Sequence, residues 1–331
     1  MILIYLTIFL YRRYFFNLYT TFEYISRNLR FMENRVISNA QLVQEKTAVI
    51  RKQGRLIGVV PTMGALHDGH LALVRQAKRD TDFVVVTIFV NPTQFGPHED
   101  FDKYPRTLER DLNQLHELEV DMVFTPKNEI MYPSGYETYV EVTESTRPLE
   151  GASRPTHYRG VTTVVLKLLN ITLADHAFFG QKDYQQCCVI GKMVADLNVP
   201  TKIVVCPTVR EADGLAMSSR NRYLSAEERT QTLVLSRSLT EAQRLFDAGV
   251  LDANEIRQQI RKVIETSPAA QIDYVSVADP LTLEELTDLS QDRPAPSVVG
   301  LTKETARAVV LLAVRFGSTR LIDNALLVCE T

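Results

Sequence analysis

Residues 59–78, VVPTMGALHDGHLALVRQAK, decide the fold of this chain. Their apolar beginning predicts a strand that ends at Pro61. A short loop containing glycine follows, and apolar residues then recur every three or four positions, which is the spacing of an amphipathic helix. The sequence therefore predicts strand, loop and helix in succession, with His67 and His70 at the point where the helix begins.

The beginning of a helix attracts anions, because its first N–H groups are unpaired and carry the positive end of the helix dipole. Imidazoles placed there, as His67 and His70 are, can hydrogen-bond a phosphate oxygen while negative charge develops on it. Two other interpretations stay open. The two histidines could be ordinary surface or core residues, or their i, i+3 spacing could belong to a metal site. No third metal ligand is evident nearby, which favours phosphate.

Strand and helix patterns continue to alternate after this stretch. Residues 83–90 are apolar and β-branched almost throughout, which is typical of a parallel strand covered on both faces. Residues 108–118 and 121–125 predict a helix and a further strand, and the alternating residues 139–142 predict an edge strand. The apolar residues 161–171 predict another helix. The alternation predicts an α/β fold, a Rossmann-like doubly wound parallel sheet, with ligands bound at the carboxyl ends of its strands.

The pattern changes after Val209. Residues 210–222 are polar and small, which predicts a loop with freedom to move. Residues 225–248 and 252–266 predict helical segments, and residues 272–277 and 306–314 alternate as strands do. We therefore predict a Rossmann-like domain over 32–208 and a smaller C-terminal α+β lid domain over 209–331, with the hinge near 207–210.

Residues 1–31 do not match the rest of the chain. They begin with an apolar run of about ten residues, whereas a membrane span needs roughly 20. They also lack the charged beginning and the small-residue cleavage site of a signal peptide. We expect an N-terminal extension that the fold does not use, and a membrane protein built on it is the weakest alternative.

Composition narrows the class of protein further. Of the residues, 45% are hydrophobic and 23% charged, which is typical of a globular chain with a substantial core. A net charge of −3 argues against a nucleic-acid partner. The four cysteines form no C-x-x-C pattern, so neither a zinc site nor a disulfide framework is indicated, and we expect a cytoplasmic protein.

Several polar side chains stand where loops follow predicted strands. Gln94 follows the strand over 83–90, and Lys182 and Gln186 follow a short strand near 177–179. Lysine can hold a polyphosphate as a point charge, and the loop sequence Ser218-Ser219-Arg220 can clamp a departing pyrophosphate. Each of these is equally an ordinary exposed residue when taken alone, as are Arg154 and Arg159.

Taken together, these segments resemble a known family. The matching blocks, in order, are PTMGALHDGH (61–70), FVNPTQFG (89–96), YPRT (104–107), LEGASRP (149–155), HYRGV (157–161), FFGQKDYQQ (178–186), DGLAMSSRN (213–221) and RLIDN (320–324). The chain resembles the pantothenate synthetases (pantoate–β-alanine ligases), a family of the nucleotidyl-transferring superfamily with a His-x-Gly-His motif. The likeness runs from about Met32 to the C-terminus.

The resemblance implies which residues form the site. It implies catalytic roles for His70, His67 and Lys182, with proton donation usually assigned to His70, and it implies pantoate binding by Gln94 and Gln186. The ATP contacts that it implies are Met63, Gly64, Ala65, Leu66, His67, Asp68, Gly69, His70, Gly180, Gln181, Lys182, Asp183, Val209, Met217, Ser218, Ser219 and Arg220. No protein metal site is implied.

The resemblance also implies a reaction in two steps. The carboxylate of pantoate attacks the α-phosphorus of ATP, with Mg²⁺ on the phosphates, and β-alanine then attacks the adenylate to give pantothenate and AMP. A homodimer is implied as well. A carboxylate needs no general base for the first step, but the amine must lose a proton in the second, and the sequence names no base for it. Closure of the loop and of the second domain is the expected protection of the adenylate from water.

Two other functions stay in view. A nucleotidyltransferase that stops at the adenylyl product would not require β-alanine. A nucleotide-binding sensor would keep the phosphate loops but could lose the acid-binding glutamines. Gln94 and Gln186 are both present, which disfavours the sensor.

Overall fold

The computed structural model describes residues 35–97, 99, 101–291 and 306–328, so that the predicted extension over 1–31 lies outside the described residues. Within them, six parallel strands form one sheet in the order β1-β4-β3-β2-β5-β6. Their bounds are β1 Val36–Ile37, β2 Ile57–Thr62, β3 Phe83–Ile88, β4 Met122–Phe124, β5 His176–Gly180 and β6 Lys202–Cys206.

Helices connect these strands and cover both faces of the sheet. They are α1 Ala40–Lys52, α2 Asp68–Asp80, α3 Leu108–Glu117, the short α4 Asn128–Met131 and α5 Glu150–Ser153, α6 His157–Thr172 and α7 Tyr184–Asp196. On β2, Val59 packs into one core with α1, α6 and α7, whereas its neighbour Val60 packs into another with α2 and α3. Phe179 and Phe178 of β5 divide in the same way. Burial on both faces explains the continuous apolar runs, and the predicted doubly wound sheet is confirmed.

The order of the strands fixes where a ligand can bind. Strands β3 and β4 lie on one side of β2, and β5 and β6 lie on the other, so the connections reverse direction between β2 and β5. In open α/β sheets, the crevice at the carboxyl ends of two such strands is the usual ligand site. The loop before α2 and the turn before α7 both begin there.

The rest of the described chain forms a smaller α+β unit, as predicted. Its helices are α8 Ala226–Gln231, α9 Val234–Asp247 and α10 Ala253–Glu265, and its strands are β7 Ala270–Ala278, β8 Ala306–Phe316 and β9 Thr319–Val328. The strands form an antiparallel sheet in the order β7-β8-β9.

The small sheet packs between two cores. Val310 and Leu312 of β8 pack with α9 and α10, whereas Val309 and Leu311 join the core that contains α6 and α7. The predicted boundary at 208/209 follows the end of β6 by two residues and stays a prediction.

Residues 139–142 do not form a strand, and that prediction was wrong. The backbone of Val140 uses side chains of α6 in place of a neighbouring strand. Its N–H donates to Thr163 Oγ1 at 3.0 Å, and its carbonyl accepts from Thr162 Oγ1 at 2.7 Å. Alternation of side chains marks an extended backbone, but the partner that pairs with it is set by tertiary structure.

Two boundaries also differ from the prediction. The helical segment over 225–248 is two helices, α8 and α9, which are separated by Thr232 and Leu233. Helix α6 begins at His157 rather than at Val161, so His157 lies in its first turn. Among the described residues, no helix combines the length and the hydropathy that a membrane span needs.

Candidate active site

A cavity of about 250 Å³ lies where the strand order reverses, at the carboxyl ends of β2 and β5. It shares Lys182 and Arg220 with a larger cleft of about 1080 Å³ between the two sheets. The cavity brings together fourteen of the residues that the sequence predicted for the site: Met63, His67, Gly69, His70, Gln94, Gly180, Lys182, Asp183, Gln186, Val209, Met217, Ser218, Ser219 and Arg220.

His67 and His70 cap the beginning of α2 reciprocally. Nδ1 of His67 accepts a hydrogen bond from Gly69 N–H at 3.2 Å, and Nδ1 of His70 accepts one from His67 N–H at 3.4 Å. A Cβ on Gly69 would lie 2.9 Å from the His67 ring, so the motif needs glycine at this position. Because Nδ1 is the acceptor in both rings, each neutral imidazole carries its proton on Nε2.

Both imidazoles stay neutral at physiological pH. Burial, followed by the charge of Lys182, lowers the pKa of His67 from 6.5 to about 4. Burial, followed by the neighbouring His67, lowers the pKa of His70 from 6.5 to about 3. A neutral Nε2–H group can donate a hydrogen bond to a phosphate oxygen. The geometry therefore favours hydrogen-bond donation by His70 over proton transfer from an imidazolium.

A buried carboxylate shapes the loop between β2 and α2. Asp111 of α3 is 1% exposed, and its oxygens accept hydrogen bonds from the N–H groups of Ala65 and Leu66 at 2.9 and 3.0 Å. Gly64 and Ala65 have φ angles of 81° and 51°, a left-handed conformation that turns successive N–H groups toward one anion. The protein thus fills this anion-binding turn with its own carboxylate.

Five predicted ATP contacts do not line the cavity, and this arrangement explains two of them. Ala65 and Leu66 are 1% and 2% exposed, and Asp111 already takes their N–H groups. The other three residues outside the lining are Gly64, Asp68 and Gln181. The histidine side chains, rather than the loop backbone, are therefore the donors that this segment directs at the cavity.

Lys182 is one of the positively charged side chains that line the cavity. It lies in a 3₁₀ turn, Gln181–Asp183, and its Nζ is 3.4 Å from Oδ1 of Asp183. Burial by itself would raise the pKa of Asp183, but the charge and hydrogen bond of Lys182, together with the charge of Arg220, hold that pKa below its usual range. The turn therefore offers an ammonium and an ionised carboxylate side by side.

Hydrogen bonds hold both the side chain and the backbone of Gln94. Its Oε1 accepts a hydrogen bond from Asn91 Nδ2 at 3.2 Å, which leaves Nε2 as the donor end, 3.0 Å from Met63 Sδ. Its backbone carbonyl contacts His157 Nδ1 at 2.9 Å and accepts from Arg154 Nη2 at 3.2 Å. Gln94 therefore presents amide N–H groups toward the cavity from a fixed backbone.

His157 is neutral in this network. Burial, followed by the charge of Arg154, lowers its pKa from 6.5 to about 4. Arg154 Nη1 lies 3.3 Å from His157 Nε2, and because a guanidinium only donates, Nε2 accepts and Nδ1 carries the proton given to Gln94. Arg154 is in turn ion-paired with Glu99. Apolar side chains also line the cavity, among them Phe89, Val161, Val164, Val165, Leu168 and Phe179.

Residues 210–222, predicted as a loop, fold back on themselves. Arg210 makes a bidentate ion pair with Asp323 of β9, at 2.7 and 3.0 Å, and Met217 N–H donates to the carbonyl of Val209 at 3.0 Å. Oγ of Ser218 accepts from Arg220 N–H at 3.3 Å and caps the 3₁₀ helix Ser219–Tyr223. The hydroxyl and guanidinium groups of this segment thus line the cavity from a braced backbone.

Sequence reasoning missed several residues that support the site. Asp111 had one available signal, because it lies on the apolar face of α3 beside Leu112 and Leu115, where a carboxylate needs a partner. His157 and Asn324 stand inside the matching blocks HYRGV and RLIDN, but no spacing along the chain connects them to Gln94 or Lys182.

The fold and the site together define a class. A doubly wound sheet that holds neutral imidazoles and a lysine at its switch point has the architecture of the α/β nucleotidyltransferases. A model of the pantoate-beta-alanine ligase family matches residues 35–326, and the chain belongs to that family.

Similar proteins extend over nearly the whole described chain. The pantothenate synthetase of Acetivibrio thermocellus is 52% identical over 289 residues, which cover 86% of this chain and 98% of that protein. That of Pelotomaculum thermopropionicum is 53% identical over 277 residues, covering 84% and 93%.

Solved structures agree with these relatives. A crystal structure of pantothenate synthetase from Thermus thermophilus is 43% identical, with a TM-score of 0.79 and coverage of 88% of this chain and 98% of that chain. The pantoate-beta-alanine ligase of Francisella tularensis, complexed with beta-gamma ATP and beta-alanine, is 35% identical, with a TM-score of 0.69 and coverage of 88% and 97%.

Proposed function

We propose that this chain uses ATP to join pantoate to β-alanine, giving pantothenate, AMP and pyrophosphate through a pantoyl adenylate. The observation that carries the proposal is the single cavity at the switch point. In it, the donors of His67 and His70, the ammonium of Lys182 and the amide of Gln94 line one space. Membership of the pantoate-beta-alanine ligase family supports the same reaction.

The first step transfers the adenylyl group. A carboxylate oxygen of pantoate forms a bond to the α-phosphorus of ATP, and the bond from that phosphorus to the pyrophosphate oxygen breaks. Pantoate is already ionised, since carboxylic acids have a pKa near 4. What remains for the protein is to stabilise negative charge on phosphate, and we assign this to the Nε2–H groups of His67 and His70 and to Lys182. One preorganised donor of this kind is worth about 3–4 kcal/mol in the transition state.

Pantoate fits the other end of the cavity. It has two methyl groups on its chain, which suit the apolar lining formed by α6 and β5, and it has polar groups that can accept hydrogen bonds. Gln94 directs its Nε2 donors from a backbone held by His157 and Arg154. We assign Gln94 and Gln186, which also lines the cavity, to pantoate.

The second step needs a neutral amine and a dry site. β-Alanine's nitrogen forms a bond to the acyl carbon, AMP leaves, and the nitrogen gives up a proton. Asp183 is the carboxylate among the described lining residues, and its lowered pKa keeps it ionised, although such a carboxylate is a weak base for an amine. We propose that the loop over 214–222 and the C-terminal domain over 209–331 exclude water from the adenylate.

Mg²⁺ fits this site as an ion carried by ATP. Within the described residues, no group of three or more His, Cys, Asp or Glu side chains is arranged to hold a metal. Mg²⁺ commonly keeps several waters and binds through substrate phosphates plus one or two carboxylates. Asp183 is the carboxylate in position to contribute, and the ion would add positive charge on the leaving phosphates.

A substrate-omission experiment with the full chain tests the proposal. With ATP, pantoate and Mg²⁺, we expect pyrophosphate exchange into ATP without β-alanine, and we expect pantothenate and stoichiometric AMP only when β-alanine is added. Accumulation of an adenylyl product that β-alanine does not consume would indicate a nucleotidyltransferase instead. Binding of ATP without turnover would indicate a sensor.

Two finer points belong to the same proposal. We expect a homodimer, by likeness to the family, and light scattering on the purified chain would measure it. We also place the protein in the cytoplasm, a reducing compartment, which suits the three described cysteines, Cys187, Cys188 and Cys206, because all are free thiols.

A further inference from the structure

The turn that carries Lys182 is attached to the second sheet. Asn324 of β9 is 3% exposed, and its Nδ2 donates to the carbonyls of both Gln181 and Lys182, each at 2.9 Å. Gln181 Nε2 lies 3.4 Å from Oδ1 of the same asparagine. One side chain of the small sheet therefore holds two successive peptide groups of the turn.

These contacts affect the position of the Lys182 ammonium group. A 3₁₀ turn of three residues has poorer hydrogen-bond geometry than an α-helix and is easily displaced. Lysine adds a long flexible stem, so the place of its Nζ depends on the backbone from which the stem starts. Fixing the carbonyls of Gln181 and Lys182 fixes that starting point.

The neighbouring residue of β9 holds the opposite wall of the cavity. Asp323, whose side chain is 1% exposed, binds Arg210 through both carboxylate oxygens. Arg210 also donates to the carbonyl of Gly214 at 3.0 Å, inside the segment that leads to Ser218 and Arg220. Two consecutive residues of one strand therefore hold two polar segments of the cavity, the Lys182 turn and the segment that carries Ser218 and Arg220.

We propose that Asn324 is a positioning residue for adenylyl transfer, acting through Lys182, and that with Asp323 it sets the spacing between the Lys182 turn and the Ser218–Arg220 segment. The inference rests on the proposed function. It predicts a role in the step that expels pyrophosphate, and no role in holding pantoate, because Gln94 is held by Asn91, His157 and Arg154 instead.

The test is a double-mutant cycle read by pantoate-dependent pyrophosphate exchange. Asn324→Ala should lower the maximal exchange rate about 10- to 100-fold while the KM for pantoate stays within about twofold. In a Lys182→Ala background, which is itself slower by 10²–10³, the same substitution should cost less than about threefold, because residues that act as a unit are not additive.

Controls separate positioning from general loosening of the fold. Gln243→Ala removes a hydrogen bond to the carbonyl of Val328, at the other end of β9, and should leave the exchange rate unchanged. Lys192→Ala removes an exposed lysine of α7 and should also leave the exchange rate unchanged. If Asn324→Ala does not fold, Asn324→Ser keeps a single donor and should show a smaller loss with the same non-additivity.

The outcomes distinguish the two levels of the proposal. If Lys182→Ala exchanges pyrophosphate at the normal rate, the proposed role of Lys182 fails. If Lys182→Ala is slow but Asn324→Ala is normal, or if the two effects multiply, the positioning role alone is overturned. Equal changes in the KM for pantoate and in the rate would also overturn it.

Discussion

Two helix beginnings meet at the switch point of the parallel sheet, and they are built differently. The loop before α2 is held by the buried carboxylate of Asp111, from a helix that packs on the same parallel sheet, and it offers neutral imidazoles. The turn before α7 is held from the second sheet by Asn324, and it offers the charged Lys182. The difference teaches that one wall of the site is fixed in place, whereas the position of the other depends on the C-terminal unit.

The largest loss of activity is expected when an imidazole donor is removed from the loop before α2. We expect His70→Ala to slow pantoate-dependent pyrophosphate exchange 10²–10³-fold, since it removes one preorganised donor worth about 3–4 kcal/mol. His70→Gln keeps a neutral N–H donor at the same position of the helix cap and should recover part of the loss. A folded His70→Ala enzyme with near-normal exchange would refute the assignment.

Asp111→Asn tests whether the carboxylate of Asp111 holds the loop before α2 in place. Ala65 and Leu66 donate to different oxygens of Asp111, and asparagine replaces one of these oxygens with an NH₂ group, so one buried N–H loses its partner. A hydrogen bond to a charged group is worth about 1.5–3 kcal/mol. We expect a loss of stability of about that size, measured by urea unfolding, together with exchange roughly tenfold slower because His67 and His70 shift.

Asp121→Asn is the matched control for Asp111. Its carboxylate accepts from the N–H of Val84 at 2.9 Å, away from the cavity. We expect it to lower stability without slowing the reaction. Equal kinetic effects of the two substitutions would show that Asp111 contributes nothing specific to the loop.

Acid should lower the free energy of unfolding gradually, through the buried histidines of the site. His67, His70 and His157 have folded pKa values of about 4, 3 and 4, below the 6.5 of the unfolded chain. The unfolded state therefore binds protons first as pH falls, so stability is highest above pH 6.5 and is lost progressively from there toward pH 4. The slope is at most about 1.4 kcal/mol per pH unit for each histidine.

Urea unfolding at pH 7, 6 and 5 measures this slope. His157→Asn keeps a donor for the carbonyl of Gln94 and removes one titrating ring, so its slope between pH 6 and pH 5 should be shallower than that of the natural chain. A slope that does not change would mean that His157 titrates normally in the folded protein.

The sequence predicted the fold better than it predicted the supports of the site. Burial on both faces of β2, β3 and β5 leaves apolar runs that are visible without any structure, whereas β1 is only Val36–Ile37 and gave no pattern. The alternation over 139–142 was interpreted as a strand because nothing local reveals that Thr162 and Thr163 take its hydrogen bonds.

The same limit applies to the cavity. The resemblance predicted fourteen residues that line it, and thirteen of them, all except Val209, lie inside the matching blocks. Asp111 acts on Ala65 from 46 positions away, and Asn324 acts on Lys182 from 142 positions away. Only folding brings such pairs together, so their spacing carries no signal.

The carboxylate of Asp111 has a consequence for how fast ATP can bind. A phosphate-binding loop whose N–H groups wait for their anion must become ordered when the nucleotide arrives, and that ordering slows capture. Here the anion is built in, so we expect the loop over 63–67 to keep its shape whether or not nucleotide is present. We expect association of ATP to be limited by opening of the cleft and by diffusion, and dissociation to leave the loop unchanged for the next turnover.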